Sequence, residues 1–176
     1  MKSIHLKGVH INEQTMNTVS VAIKKNMTLQ AIILEDAGIT DEGALSLSIG
    51  LQSNTLIHSL SLPRNQLTSA GLEHIIDCLD VNQNLTDLDL RDNLITDIPS
   101  SLNTYLQTET SSIRSLLLNG NPLQARSVAQ LLSSLSQNTS VLQLGVKLVR
   151  HYIVTILRCL SINHCFNHSR VNIGIR

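Results

Sequence analysis

The chain has 176 residues, 42% of them apolar and only 2% aromatic, and its thirteen basic residues are offset by thirteen acidic ones. That apolar share excludes a disordered chain, and a core nearly without aromatics must be built in thin layers of Leu, Ile and Val. A formal charge of zero lacks the excess of Lys and Arg that sequence-independent nucleic-acid binding or adhesion to anionic membranes requires, so neither partner is expected.

In chain order, one ladder of apolar residues returns six times at an interval of 28. The first rungs are Met1, Ile4, Leu6 and Ile11, followed by a helical stripe of Met16, Val19 and Ile23. The second coil repeats Leu29, Ile32, Leu34 and Ile39, then Ala44, Leu47 and Leu51. The third shows the unit most plainly: Ile57, Leu60 and Leu62 fit a short half-buried strand, and Leu67 turns the chain inward. Thr68 is an N-cap candidate, and Leu72, Ile75, Ile76 and Leu79 share one helix face. The fourth coil carries Leu85, Leu88, Leu90 and Ile95, but Pro99 delays its helix, where Leu102, Tyr105 and Leu106 sit out of phase. The fifth reads Ile113, Leu116, Leu118 and Leu123, then Val128, Leu131, Leu132 and Leu135. The sixth begins Val141, Leu144 and Val146 and continues in a helix-like stretch from Tyr152 to Leu160. At the end Val171, Ile173 and Ile175 alternate like a strand covering the last open edge.

A fixed period of about 20–50 residues marks a solenoid. No unit of strand, turn, helix and turn buries its apolar face alone, so the stack holds only as a stack. We expect one domain over 1–168, divided as 1–28, 29–56, 57–84, 85–112, 113–140 and 141–168, with 169–176 a C-terminal tail or capping strand.

The pattern LxxLxLxxNxL with a following helix is clearest in IHSLSLPRNQL (57–67), LTDLDLRDNLI (85–95) and IRSLLLNGNPL (113–123). It resembles the leucine-rich repeat family. The 28-residue period and the Thr-x-x-Gly of Thr40 to Gly43 and Thr68 to Gly71 are similar to its ribonuclease-inhibitor-like class. The resemblance covers roughly residues 1–160 and implies an α/β solenoid. Its form would be a right-handed superhelix, a horseshoe arc with parallel β-strands on the concave face and α-helices on the convex face. It also implies that Asn65, Asn93 and Asn121 turn inward to bond the backbone of adjacent coils, since an amide offers donors and an acceptor together. Val9, Ala37 and Val149 take that place in other coils, which are expected to be looser. A second asparagine recurs near the helix exit at 26, 54, 82 and 138.

Strand residues pointing away from the core form the surface that solenoids commonly use for binding. By the ladder these are His5 and Lys7, then Ile33, Glu35 and Asp36, then His58, Ser61 and Arg64. Asp87, Asp89, Arg91 and Asp92 follow, then Arg114, Leu117 and Asn119, and finally Gly145, Lys147 and Leu148. Six strands at about 4.8 Å spacing and roughly 13 Å length offer only about 300 Å², against about 800 Å² per partner in a standard interface. A partner must therefore also use the flanking loops, or bind with modest affinity, or these residues belong to a longer protein. The expected function is a non-enzymatic protein–protein interaction scaffold, in an intracellular regulator or a bacterial effector. Activation of a small GTPase, or substrate selection within a larger ligase, are the alternatives.

Catalytic signals are weak. Asp87 and Asp89 share a strand face, but an open strand gives no enclosure to separate their pKa values. His151, Cys159, His164, Cys165 and His168 match no standard zinc spacing, and Cys159 falls on an apolar stripe. No metal, cofactor or small-molecule substrate is expected, and no phosphate loop or nucleophile elbow occurs. The odd set Cys78, Cys159 and Cys165, with an N-terminus lacking an apolar h-region, suggests the cytoplasm (the host's, for a delivered effector). Lys147, Arg150, His151 and Arg158 argue against a membrane span in the apolar stretch from Val141 to Leu160.

Overall fold

The 28-residue ladder folds as a stack of coils. The structure, a computed structural model, describes residues 2–136, 138–148 and 170–175. Strands and helices alternate as β1 (Ser3–Lys7), α1 (Glu13–Lys25), β2 (Ala31–Glu35), α2 (Asp41–Gln52), β3 (Ser59–Ser61) and α3 (Ser69–Leu79). They continue as β4 (Asp87–Asp89), α4 (Ser100–Gln107), β5 (Ser115–Leu117), α5 (Ala125–Ser134), β6 (Gln143–Leu148) and β7 (Arg170–Ile175). The strands form one parallel sheet in chain order, β1 to β7. Ile4, Ile32, Leu60, Leu88, Leu116 and Leu144 pair in one row, and Leu144 pairs onward with Val171, so the last step shortens to 27. The helix-like stretch from Tyr152 to Leu160, Val149 and the His/Cys group from His151 to His168 lie outside the described residues.

In β2 to β5 even-numbered strand residues enter the core and odd-numbered ones face solvent. In coil three Ile57, Leu60, Leu62, Leu67, Leu72 and Ile75 are all fully buried, and each meets its counterparts above and below in one continuous core. Fully burying a Leu or Ile contributes about 1.5–3 kcal/mol, so each coil draws its stability from the neighbours that cover it.

Asparagines stitch the coils at both ends of the strands. Asn65 accepts from the N–H groups of Ala37 and Ile39 at 3.0 Å and donates to the carbonyls of Leu34 (2.8 Å) and Pro63 (3.1 Å). Asn93 accepts from Leu67 N–H and donates to Leu62, Leu90 and Arg91 carbonyls. Asn121 accepts from Ile95 N–H and donates to Leu90 and Leu118 carbonyls. At the helix exits, Asn54 donates to the carbonyls of Ile23 and Asn26 and accepts from Leu56 and Ile57. Asn82 does the same one coil later, with Leu51 and Asn54 and with Asn84 and Leu85.

Coil four breaks this second series. Its equivalent residue is Thr110, which bonds Thr108 in its own loop, while the Tyr105 hydroxyl accepts from Ser112 N–H at 2.8 Å. Ser112 Oγ in turn donates to the Leu85 carbonyl at 2.7 Å. Helices α1, α2, α3 and α5 begin in step at Glu13, Asp41, Ser69 and Ala125, whereas α4 begins only at Ser100, behind Pro99. Thr68 caps α3 by accepting from Ala70 N–H, and its own N–H and hydroxyl donate to Asp41 of the preceding helix at 2.8 and 2.6 Å. Gly71 packs against that carboxylate so closely that a Cβ would collide with it, which explains the glycine of Thr-x-x-Gly.

Candidate interaction surface

The solvent face of the sheet is a lattice of rows running across the strands. One row reads His5, Ile33, Ser61, Asp89, Leu117 and Gly145; the row beneath reads Ser3, Ala31, Ser59, Asp87, Ser115 and Gln143. Ile33 and Leu117 thus stand in the same row three strands apart, about 14 Å at standard spacing. Between them lies a hollow of about 260 Å³, lined by Ser59, Ser61, Asp87, Asp89 and Ser115 as well as the two apolar residues. Serines, being short, create the depression.

The C-terminal ends of the strands are tied by ion pairs. Glu35 lies 2.9 Å from Lys7 Nζ, 3.6 Å from Arg64 and 4.0 Å from His5 Nε2. The Lys7 hydrogen bond, more than the other nearby cations, holds the Glu35 carboxyl below the usual glutamate range. Asp89 receives both Arg91 Nε (2.9 Å) and Nη2 (2.7 Å), a bidentate pair, and also the Ser61 hydroxyl at 3.2 Å. The same bond to Asp89 raises the pKa of Arg91 further. Asp87 differs. Its Oδ2 accepts from the Thr86 hydroxyl at 2.6 Å, and no cation among the described residues comes within 4 Å of it.

Asp36, Arg64 and Asp92 follow β2, β3 and β4 in the left-handed region, at φ of 52°, 57° and 55°, and so stand on the rim. Gly8 and Gly120 occupy the same place in coils one and five. His58 and Arg114 lie one residue before β3 and β5 and are exposed at the opposite margin. The expected set therefore divides into a strand group (Ile33, Glu35, Asp87, Asp89, Leu117), a strand-end rim (Asp36, Arg64, Arg91, Asp92) and a strand-start margin (His58, Arg114). Lys147 falls within β6. Ser59, Ser115 and Gln143 were missed, because Ser and Gln carry no signal of their own; only strict counting by 28 from Asp87 finds them.

The acidic character of the centre is stronger than the summed charge conveys. Residues 29–112 hold twelve acidic and two basic residues, whereas 113–176 hold seven basic residues and no acidic one. Among the described residues, no group of three or more His, Cys, Asp or Glu is placed to hold a metal ion, and no helix is long and apolar enough to cross a membrane.

A family model described as Leucine Rich repeat matches residues 25–48 and 81–98, within coils whose strands, helices and inward asparagines have that design. The chain carries leucine-rich repeats. Human NACHT, LRR and PYD domains-containing protein 5 is 37% identical over 73 residues, covering 41% of this chain and 6% of that protein. Human leiomodin-3 is 29% identical over 89 residues, covering 50% of this chain and 16% of that protein. The chain thus spans less than a fifth of the length of these curated relatives. Among solved structures, leiomodin-1 actin-binding site 2 shares the fold with a TM-score of 0.55 at 21% identity, over 93% of this chain and 80% of that one. Leucine-rich repeats are generally surfaces for protein–protein contact rather than enzymes.

Proposed function

We propose that this leucine-rich repeat protein is a non-enzymatic scaffold that binds a protein partner through the solvent face of its sheet and the adjoining rim. The observation that carries this reading is the row from Ile33 to Leu117, two half-buried apolar residues on either side of a hydroxyl- and carboxylate-lined hollow. Asp36, Arg64, Arg91 and Asp92 on the rim, with His58, Arg114 and Lys147, supply the area that the strands alone lack. The 28-residue period and full helices on the convex side support the ribonuclease-inhibitor-like class. The free, buried thiol of Cys78 supports action in a reducing compartment such as the cytoplasm.

Capture of partners on the immobilised chain tests this. Leu117→Glu should remove a partner that Ile49→Glu, on an exposed convex position, leaves bound. Retention of every captured protein by Leu117→Glu would refute the concave reading. Monomeric actin is a defined protein to include, since leiomodin-1 is described by an actin-binding site.

A further inference from the structure

We propose that the hollow around Asp87 receives a lysine or arginine side chain presented by an otherwise apolar segment of the partner; this rests on the concave-face reading above. Three strand residues of this face carry carboxylates, and two are already neutralised: Glu35 by Lys7 and Arg64, Asp89 by Arg91. Asp87 alone has no cation within 4 Å among the described residues. The Thr86 hydroxyl, donating to Oδ2, fixes the carboxylate and leaves Oδ1 for a ligand.

The surroundings select the ligand. Ser59 and Ser115 flank Asp87 in its row and offer hydroxyls to an N–H donor. Ile33 and Leu117 wall the hollow, and long cationic side chains lay an apolar stem on such walls while the charged head reaches an anion. A charge-assisted hydrogen bond is about twice as strong as a neutral one. The excess of acidic residues over 29–112 attracts the same charge from a distance and repels anionic ligands. The open shape of the hollow admits a side chain still attached to a backbone, which the rim can hold at the same time.

Selection of random twelve-residue peptides displayed on phage, against the intact chain in low salt, reads this out. Recovered peptides should be enriched in Lys or Arg beside a branched apolar residue. Affinities of two such synthetic peptides should fall about tenfold in Asp87→Asn and stay within about twofold in Glu73→Gln, a control at an exposed carboxylate of α3. Asp87→Lys should bind the same peptides again once their basic residue is exchanged for Glu. Peptides that are lost in Leu117→Glu yet show no basic enrichment, or ignore Asp87→Asn, overturn the proposal and leave the concave reading standing. Peptides indifferent to Leu117→Glu remove both. A selection that enriches nothing above the starting library also overturns it.

Discussion

Asn93 joins two coils through one amide, which accepts from Leu67 N–H and donates to three carbonyls. Truncation leaves buried backbone groups unpaired, at about 1–3 kcal/mol each before relaxation. Asn93→Ala should therefore lower stability by roughly 2–4 kcal/mol, measured by urea unfolding; a loss below about 0.5 kcal/mol would contradict the role. Burial pushes the Cys78 thiol up to about 12. In the unfolded chain it ionises at its ordinary value, so high pH favours unfolding, and iodoacetamide should label Cys78 only as fast as the protein opens. Mass spectrometry of the Cys78 peptide under native conditions checks this. Glu35 has the opposite sign. Its carboxyl is held below the ordinary 4.5 by Lys7, so its contribution is full above that pH and is lost as pH falls through the lowered value. Glu35→Gln should flatten that part of the acid limb in melts taken between about pH 3 and 5. The inward asparagines were legible because an amide in a repeating bend has few other uses. The hollow was not, because it is made by serines.

Helix α4 departs most from the repeat. Pro99 at its N-cap has no side chain to accept from the first turn, and the helix is left with eight residues. It also holds Ser101, whose Oγ is the one buried side-chain polar atom without a partner among the described residues. Ser101→Ala should raise stability by about 1 kcal/mol, since it removes an unpaired hydroxyl rather than a bond. Tyr105→Phe should lower it by about 1–2 kcal/mol, because the hydroxyl takes the Ser112 N–H that an asparagine would otherwise satisfy. Thermal melts of the two variants should thus move in opposite directions. The late start was readable from Pro99. The substitution of a tyrosine for an asparagine was not, because Tyr105 and Ser112 meet only once the loop between them is folded.

At the scale of the molecule, stability adds up coil by coil. Removal of residues 57–84 joins positions in the same phase, since coils two and four share one register. That deletion should keep a cooperative melt and a helix-plus-strand circular dichroism spectrum at a lower Tm. Removal of 57–70 alone breaks phase and should abolish the transition. Period and strand register were legible along the whole ladder, because regular spacing fixes them without any long-range information. The separation of charge was hidden by its own cancellation. The missing helix-exit asparagine of coil four has a mechanical meaning. Between coils three and four the loops after the strands stay laced by Asn93. In the loops after the helices Thr110 bonds only within its own loop, and the single bond from Ser112 Oγ to the Leu85 carbonyl takes the place of the two that Asn82 makes one coil earlier. With one side-chain bond fewer across it, the helix-exit side is the softer edge of this seam.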